Sequence, residues 1–172
     1  AFINIGPKKE NIEIVATRLA MAMRNSARTS NSMNYEGGVH WSLTTVAALY
    51  WRVQGKSSHA IKCLRHALNN APYHMRDLAL VSLANVYQQG DMLTSALVSA
   101  GAALQLSPRF VVIHFTLANI YAALKMYDHA MQFYYSTLAL QNNFDPARER
   151  IRAIYCITGE IPEAARTPSP TI

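Results

Sequence analysis

The chain has 172 residues, of which 51% are hydrophobic and 15% are charged, and its formal net charge is +6. This composition predicts a folded protein and excludes an intrinsically disordered one. The positive charge is compatible with an acidic protein, a nucleic acid or a membrane surface as partner, but it requires none of them.

A leading helix is predicted near residues 8–25, with Pro7 at its start. The apolar stripe of this helix consists of Ile12, Val15, Leu19 and Met23. A polar loop rich in Asn, Ser and Thr is predicted to follow at about 26–38, where two glycines stand together. The leading helix and the loop together form a predicted N-terminal region, 1–38.

The remainder of the chain is predicted to consist of helix hairpins that repeat with a period near 34 residues. Leu83-Ala84-Asn85 recurs 34 positions later as Leu117-Ala118-Asn119. Hairpins are predicted at about 39–70, 74–106 and 109–141, with a last helix at about 145–158. The repeat array is assigned to 39–166, with repeats at about 41–74, 77–110 and 111–144, a partial repeat at 145–166 and a flexible tail at 167–172.

Small and aromatic residues recur at fixed places in each repeat, and packing explains both types. Alanines are predicted to let the two helices of a hairpin approach closely; they are Ala48, Ala84 and Ala118 in the first helices and Ala60, Ala96 and Ala130 in the second helices. Aromatic rings are predicted to fill the wedge between neighbouring hairpins; they are Trp51, Tyr87, Tyr121 and Tyr155. Arg152 replaces the small residue in the fourth copy, so its second helix is expected to be a stub.

The turns inside the hairpins differ from one copy to the next. Gly55 lies in the turn of the first hairpin, whereas Gly90 falls one residue early in the second and Lys125 occupies the place in the third. Glycine is the usual residue where a turn needs a positive φ angle. The sequence therefore leaves open how the second and third turns are made.

These repeats resemble the tetratricopeptide repeat (TPR) family over about 39–164, through apolar, small and aromatic residues in the first helix and small residues in the second. The resemblance implies an all-α fold: an α-solenoid of TPR helix hairpins in a right-handed superhelix, with a leading helix and a terminal capping helix. It also implies a scaffold that binds a protein partner and is not an enzyme.

A closer similarity lies in residues outside the TPR pattern. The matching runs resemble the C-terminal repeats of one member of the family; they are His40-Trp41, 47–53, 63–68, 82–85, 114–121 and 135–138. This similarity implies a role in actin filament organisation and primary cilium assembly through binding partners. It also implies a cytoplasmic protein associated with the cytoskeleton or the cilium.

In TPR proteins the first helices of the hairpins line a concave groove, where a partner peptide or amphipathic helix is expected to bind. The predicted groove residues are Leu49, Arg52, Leu78, Val81, Asn85, Gln88, Val112, Phe115 and Asn119. Asn85 and Asn119 are candidates to hydrogen-bond a peptide backbone, although asparagine after Leu-Ala is also common in such repeats. An acidic chaperone tail is not expected, because no cation occupies the positions that would form a two-carboxylate clamp, which are Thr45, Leu49, Ser82, Val112 and Thr116.

A second hypothesis is an RNA-binding helical-repeat protein that uses the basic 52–76 surface. The predicted basic patch consists of Lys56, Lys62, Arg65 and Arg76. We favour a solvated helix face, because Trp51 and Tyr73 occupy packing positions and not stacking positions among the cations. The 34-residue period also argues against pentatricopeptide repeats, which have 35 residues.

No catalytic motif, cofactor or small-molecule substrate is predicted. His59, Cys63 and His66 share one helix face, but a structural zinc site needs a fourth ligand that the spacing does not secure, so no metal is expected. Cys63 and Cys156 are expected to be free thiols.

The chain begins at Ala1 and is expected to be a segment of a longer protein. Neither a signal peptide nor a membrane-spanning helix is predicted. Self-association is left open.

Overall fold

The computed structural model describes residues 11–32 and 38–159, and within them the chain forms eight α-helices and no β-strand. This confirms the predicted all-α hairpin fold. The helices are α1 (Ile12–Ser32), α2 (Trp41–Val53), α3 (Ser57–Asn70), α4 (Asp77–Gln89), α5 (Leu93–Leu106), α6 (Val111–Ala123), α7 (Tyr127–Leu140) and α8 (Asp145–Thr158). A single 3-10 turn, Tyr73–Met75, lies between α3 and α4.

The chain divides into two compact units between Ser107 and Pro108. The first unit contains α1 and two hairpins, α2–α3 and α4–α5, and α4 packs against both helices of the preceding hairpin. The second unit contains the third hairpin, α6–α7, and α8, which packs against α7. Each unit therefore has at least one complete hairpin and the element that covers one of its faces.

All six alanines at the predicted helix–helix contacts are completely buried. Within a hairpin their methyl groups leave the two helix backbones close together, so that a larger side chain at these sites would push the helices apart. In the first unit Ala48, Ala60, Leu64, Ala79 and Leu83 belong to one core, against which Trp51 and Tyr87 pack. The alanine and aromatic pattern in the sequence therefore describes the interior of this unit correctly.

The core of the second unit is built around Tyr134, the largest side chain that is fully buried in the described chain. Ala118 and Ala130 lie in this core together with Ala147 and Ile151 of α8. The predicted wedge residues Tyr121 and Tyr155 pack against its margin. The apolar face of α8 thus covers the third hairpin.

The three hairpin turns have the same backbone geometry although their sequences differ. A residue with positive φ follows each first helix: Gly55 at 70°, Asp91 at 58° and Lys125 at 60°. The next N–H donates to the carbonyl of the wedge aromatic five residues earlier, at 2.9 Å in each turn, for example Lys56 N to Trp51 O. This pattern satisfies the last carbonyls of each first helix.

The early position of Gly90 is explained by this geometry. Gly90 has φ −90° and ends α4 with ordinary helical hydrogen bonds, so the left-handed residue of the second turn is Asp91. The turn position is therefore conserved in structure across the hairpins, and only the first copy places glycine there.

The leading helix differs from its predicted bounds. It extends to Ser32, seven residues past the expected end at 25, so the prediction of a loop from 26 is wrong. No glycine or proline interrupts the segment before Gly37, and polar residues alone do not stop a helix. The predicted start at Pro7 lies outside the described residues.

Helix α8 has the predicted bounds, Asp145–Thr158. It has Pro146 in its first turn, and it ends at Thr158 before Gly159, whose φ is 71°. The predicted stub beyond it and the predicted tail, 167–172, lie outside the described residues.

Candidate partner-binding site

The predicted groove residues of the first unit lie on α2 and α4. We call them the first-unit face: Leu49, Arg52, Leu78, Val81, Asn85 and Gln88. Val81 is buried and forms the floor of this face, whereas 49% of the Leu78 surface is exposed. Leu49, Arg52, Asn85 and Gln88 are half-buried. The first-unit face therefore offers aliphatic surface together with three polar side chains.

The predicted groove residues of the second unit are on α6, and we call Val112, Phe115 and Asn119 the second-unit face. Val112 is 40% exposed. Phe115 is half-buried, and its ring lies 5.0 Å from Phe144 and 5.9 Å from Tyr134, measured between ring centroids. Phe115 is thus also part of the aromatic packing of this unit.

The two asparagines of the predicted peptide ladder are in different chemical situations. The Tyr134 hydroxyl donates a hydrogen bond of 2.7 Å to Asn119 Oδ1. The side chain of Asn85, by contrast, makes no hydrogen bond with any residue that the structure describes. One acceptor position of the Asn119 oxygen is therefore already used, whereas both ends of the Asn85 amide remain fully available.

The sequence carries a signal for this difference, which periodicity alone does not reveal. Tyr134 stands 15 residues after Asn119, and the equivalent position 15 residues after Asn85 is Ala100. Ala100 has no donor and is fully buried. Burial raises the pKa of Tyr134 to about 12, so the phenol is protonated at neutral pH and donates this bond.

Arg52 is the charged residue of the first-unit face. Its Nε atom is buried and has no hydrogen-bond partner, and none of the described side chains forms a salt bridge with its guanidinium group. Burial lowers the pKa of Arg52. A half-buried guanidinium group without a partner is costly, because it has lost water and gained no acceptor.

The chain is similar in sequence to tetratricopeptide repeat protein 17 from a fish and from mammals. Tetratricopeptide repeat protein 17 of Danio rerio is 45% identical over 156 residues, which are 89% of this chain and 12% of that protein. The human protein of the same name is 40% identical over 148 residues, 86% of this chain and 12% of that protein. No family model matches the chain.

Solved structures agree at the level of the fold. The first TPR domain of Spaghetti (RPAP3), bound to the HSP90 peptide SRMEEVD, superposes with a TM-score of 0.66 and 19% identity, covering 70% of this chain and 96% of that chain. MamA superposes with a TM-score of 0.67 and 16% identity, covering 86% of this chain and 82% of that chain. The chain belongs to the tetratricopeptide repeat family. It spans about an eighth of the length of the curated relatives.

The four cations of the predicted basic patch have different surroundings in these TPR hairpins. Lys56 lies over the ring of Trp51, with Nζ 5.4 Å from the centroid. Lys62 and Arg65 are exposed on α3. Arg76 is half-buried and its Nε donates to the Ala71 carbonyl at 3.0 Å. Only Lys62 and Arg65 therefore present their charges without such a contact.

His59, His66 and Cys63 of the first TPR hairpin each contact a neighbouring side chain. The His59 ring lies 4.8 Å from that of Trp51, and the His66 Nδ1 atom lies 3.5 Å from the Asn70 amide nitrogen. Cys63 is half-buried; burial raises the pKa of its thiol, and a hydrogen bond with Trp51 partly opposes this. Over 11–28 and 38–159, no three His, Cys, Asp or Glu side chains are close enough together to hold a metal ion.

None of the described TPR helices combines the length and the apolar character that crossing a lipid bilayer requires.

Proposed function

We propose that this TPR segment is a non-catalytic protein-interaction module, and that the first-unit face and the second-unit face each offer a surface for a peptide or an amphipathic helix. The observation on which this depends is the repeated pairing of an exposed aliphatic residue with an asparagine seven positions later. Leu78 precedes Asn85 on α4, and Val112 precedes Asn119 on α6. Two turns of helix place both members of each pair on one face.

This pairing suits a partner that is apolar on one side and has backbone or amide groups to satisfy. Covering the exposed aliphatic surface contributes about 25 cal/mol per Å². The free amide of Asn85 contributes about 1 kcal/mol net for each hydrogen bond that it forms with the partner. These contacts favour the capture of a protein segment. The residues that make them provide no acid, base or nucleophile for a chemical reaction.

We further propose that the partner is not an acidic chaperone tail, although the RPAP3 domain holds such a peptide. Thr45, Ser82 and Thr116 are buried and uncharged. The Thr45 hydroxyl already donates to the Trp41 carbonyl at 3.0 Å. A clamp for two carboxylates needs accessible cations or several free donors, which these residues do not provide.

By its similarity to tetratricopeptide repeat protein 17, we propose that the full protein acts in actin filament organisation and primary cilium assembly in the cytoplasm. This segment would supply one binding surface for that role and no enzymatic activity.

The proposal is tested with peptides selected on the chain from a random 16-residue phage library, then synthesised and measured by calorimetry. Leu78→Asp should weaken peptides that bind the first-unit face at least tenfold, and Val112→Asp should do the same for peptides that bind the second-unit face, because each places a charge on exposed apolar contact surface. Val98→Asp is the matched control. Val98 is 73% exposed on α5, the second helix of its hairpin, which carries neither face, so this variant should bind the selected peptides as tightly as the wild type.

All three variants should keep the helical circular dichroism of the wild type, since each replaces an exposed side chain. The peptide SRMEEVD should show no saturable binding. If the selected peptides bind both groove variants as tightly as the wild type, the two faces are not the binding site.

A further inference from the structure

Arg52 lies in the last turn of α2, on the first-unit face, and none of the described residues pairs with its charge. Its Nε atom is buried without a partner, and the guanidinium group makes no hydrogen bond to any described residue. Side chains this long usually place their charge in water. The fold instead keeps this guanidinium half-buried.

The carboxylates that the structure describes do not form an ion pair with this guanidinium group. Between Gly38 and Ser107 the acidic residues are Asp77 and Asp91, against five Lys and Arg residues. Asp77 accepts hydrogen bonds from the Leu78 backbone at 2.8 Å and from the Ser107 hydroxyl at 2.7 Å, so both of its oxygens are engaged. Asp91 is exposed in the α4–α5 turn. The described residues of this unit therefore supply no counter-charge, and a carboxylate of a bound segment could supply one.

The surroundings of Arg52 indicate what kind of anion fits. Leu49 lies one turn before it on α2, and Val53, which is 49% exposed, lies beside it. A partner that covers these aliphatic groups removes water from the guanidinium, and an ion pair is stronger where water is excluded. The planar guanidinium donates two parallel hydrogen bonds to one carboxylate.

We propose that Arg52 receives an Asp or Glu side chain from the bound segment, flanked by apolar residues that cover Leu49 and Val53. This inference rests on the proposed function, because it specifies the partner at the same face. It differs from capture of an acidic tail: a single internal carboxylate is recognised, and the rest of the contact is apolar.

The experiment uses peptides selected on the whole 172-residue chain from the same phage library. Selection should enrich Asp or Glu at one position between apolar residues. Replacing that Glu by Gln in the synthetic peptide should cost the wild type about tenfold in affinity. On Arg52→Gln the two peptides should differ less than twofold, because the interaction is already lost. Arg109→Gln, which removes an exposed cation of the second unit, should retain the tenfold difference.

Thermal unfolding separates this role from a structural one. Arg52→Gln should unfold at the same temperature as the wild type or higher, because the substitution removes an unpaired half-buried charge. A fall of several degrees, with equal weakening of acidic and neutral peptides, would mean that Arg52 supports the fold, and the inference would be wrong.

The inference is also overturned if the selected peptides show no acidic preference, or if Arg52→Gln keeps the tenfold difference. Either result leaves the proposed function intact as long as Leu78→Asp weakens binding. If the library yields no peptide whose binding depends on Leu78 or Val112, both proposals are refuted.

Discussion

Lys125 is expected to destabilise the third hairpin, and replacing it with glycine should make the protein more stable. The residue has φ 60°, in the left-handed region, at the turn between α6 and α7. Its side chain is exposed and makes no hydrogen bond or ion pair with the described residues. The same turn position in the first hairpin is occupied by Gly55, with φ 70°.

The size of the effect follows from two opposing terms. The left-handed conformation costs a residue with a Cβ atom about 1–2 kcal/mol of folded-state stability, and Lys125→Gly removes this cost. Glycine makes the unfolded chain more disordered, which costs about 0.5–1 kcal/mol. The hydrogen bonds from Lys125 N to the Ala122 carbonyl and from Met126 N to the Tyr121 carbonyl do not involve the side chain and are kept. The free energy of unfolding should therefore rise by about 0.5–1 kcal/mol.

Urea unfolding followed by circular dichroism at the helical band measures this change. Lys125→Ala is the control, because it removes the same side chain but keeps a Cβ atom, and its midpoint should stay near that of the wild type. Gly55→Ala should lower the free energy of unfolding by about 1 kcal/mol. A Cβ atom at this position would have no atom within 4 Å, so no clash would contribute and the loss would come from backbone strain alone. If Lys125→Ala stabilises as much as Lys125→Gly, the backbone argument is refuted.

Two further predictions concern the core of the second unit. Ala118→Leu should lower the free energy of unfolding in urea by about 1–3 kcal/mol, because Ala118 and Ala130 are fully buried in the α6–α7 core. The control Ala123→Leu changes an exposed site of α6 and should leave the stability unchanged. An equal loss of stability in both variants would contradict the packing argument. Tyr134→Phe should cost about 1 kcal/mol at pH 7 by removing the hydrogen bond to Asn119. Burial raises the pKa of Tyr134 in the folded protein to about 12, above its usual value. The stability that the protonated phenol gives to the fold is therefore complete below about pH 10 and is lost towards pH 12. The difference in urea midpoint between the wild type and Tyr134→Phe should accordingly shrink between pH 7 and pH 11. A constant deficit would mean that Tyr134 does not titrate as inferred.

The sequence by itself determined the helices of the repeats and their pairing within each hairpin, although it placed the end of the leading helix too early. Small residues recur at fixed positions on both helices, and helical periodicity alone decides which of them share a face. All six predicted contact alanines are accordingly buried, and the wedge aromatics lie at the margins of the two cores. The same periodicity placed Leu78 and Asn85 on one face of α4.

Only the tertiary structure decided how each polar side chain on those faces is used. Asn85 and Asn119 follow identical Leu-Ala pairs, yet only Asn119 is bonded, because Tyr134 reaches it from α7 and Ala100 offers nothing in the same place. The left-handed backbone of Asp91 and Lys125 was equally hidden, since the usual glycine signal is absent there. Arg52 has no ion-pair partner among the described residues, because none of their carboxylates lies within reach. Periodicity fixes the direction of a side chain, whereas hydrogen bonding and burial depend on which groups from other helices surround it.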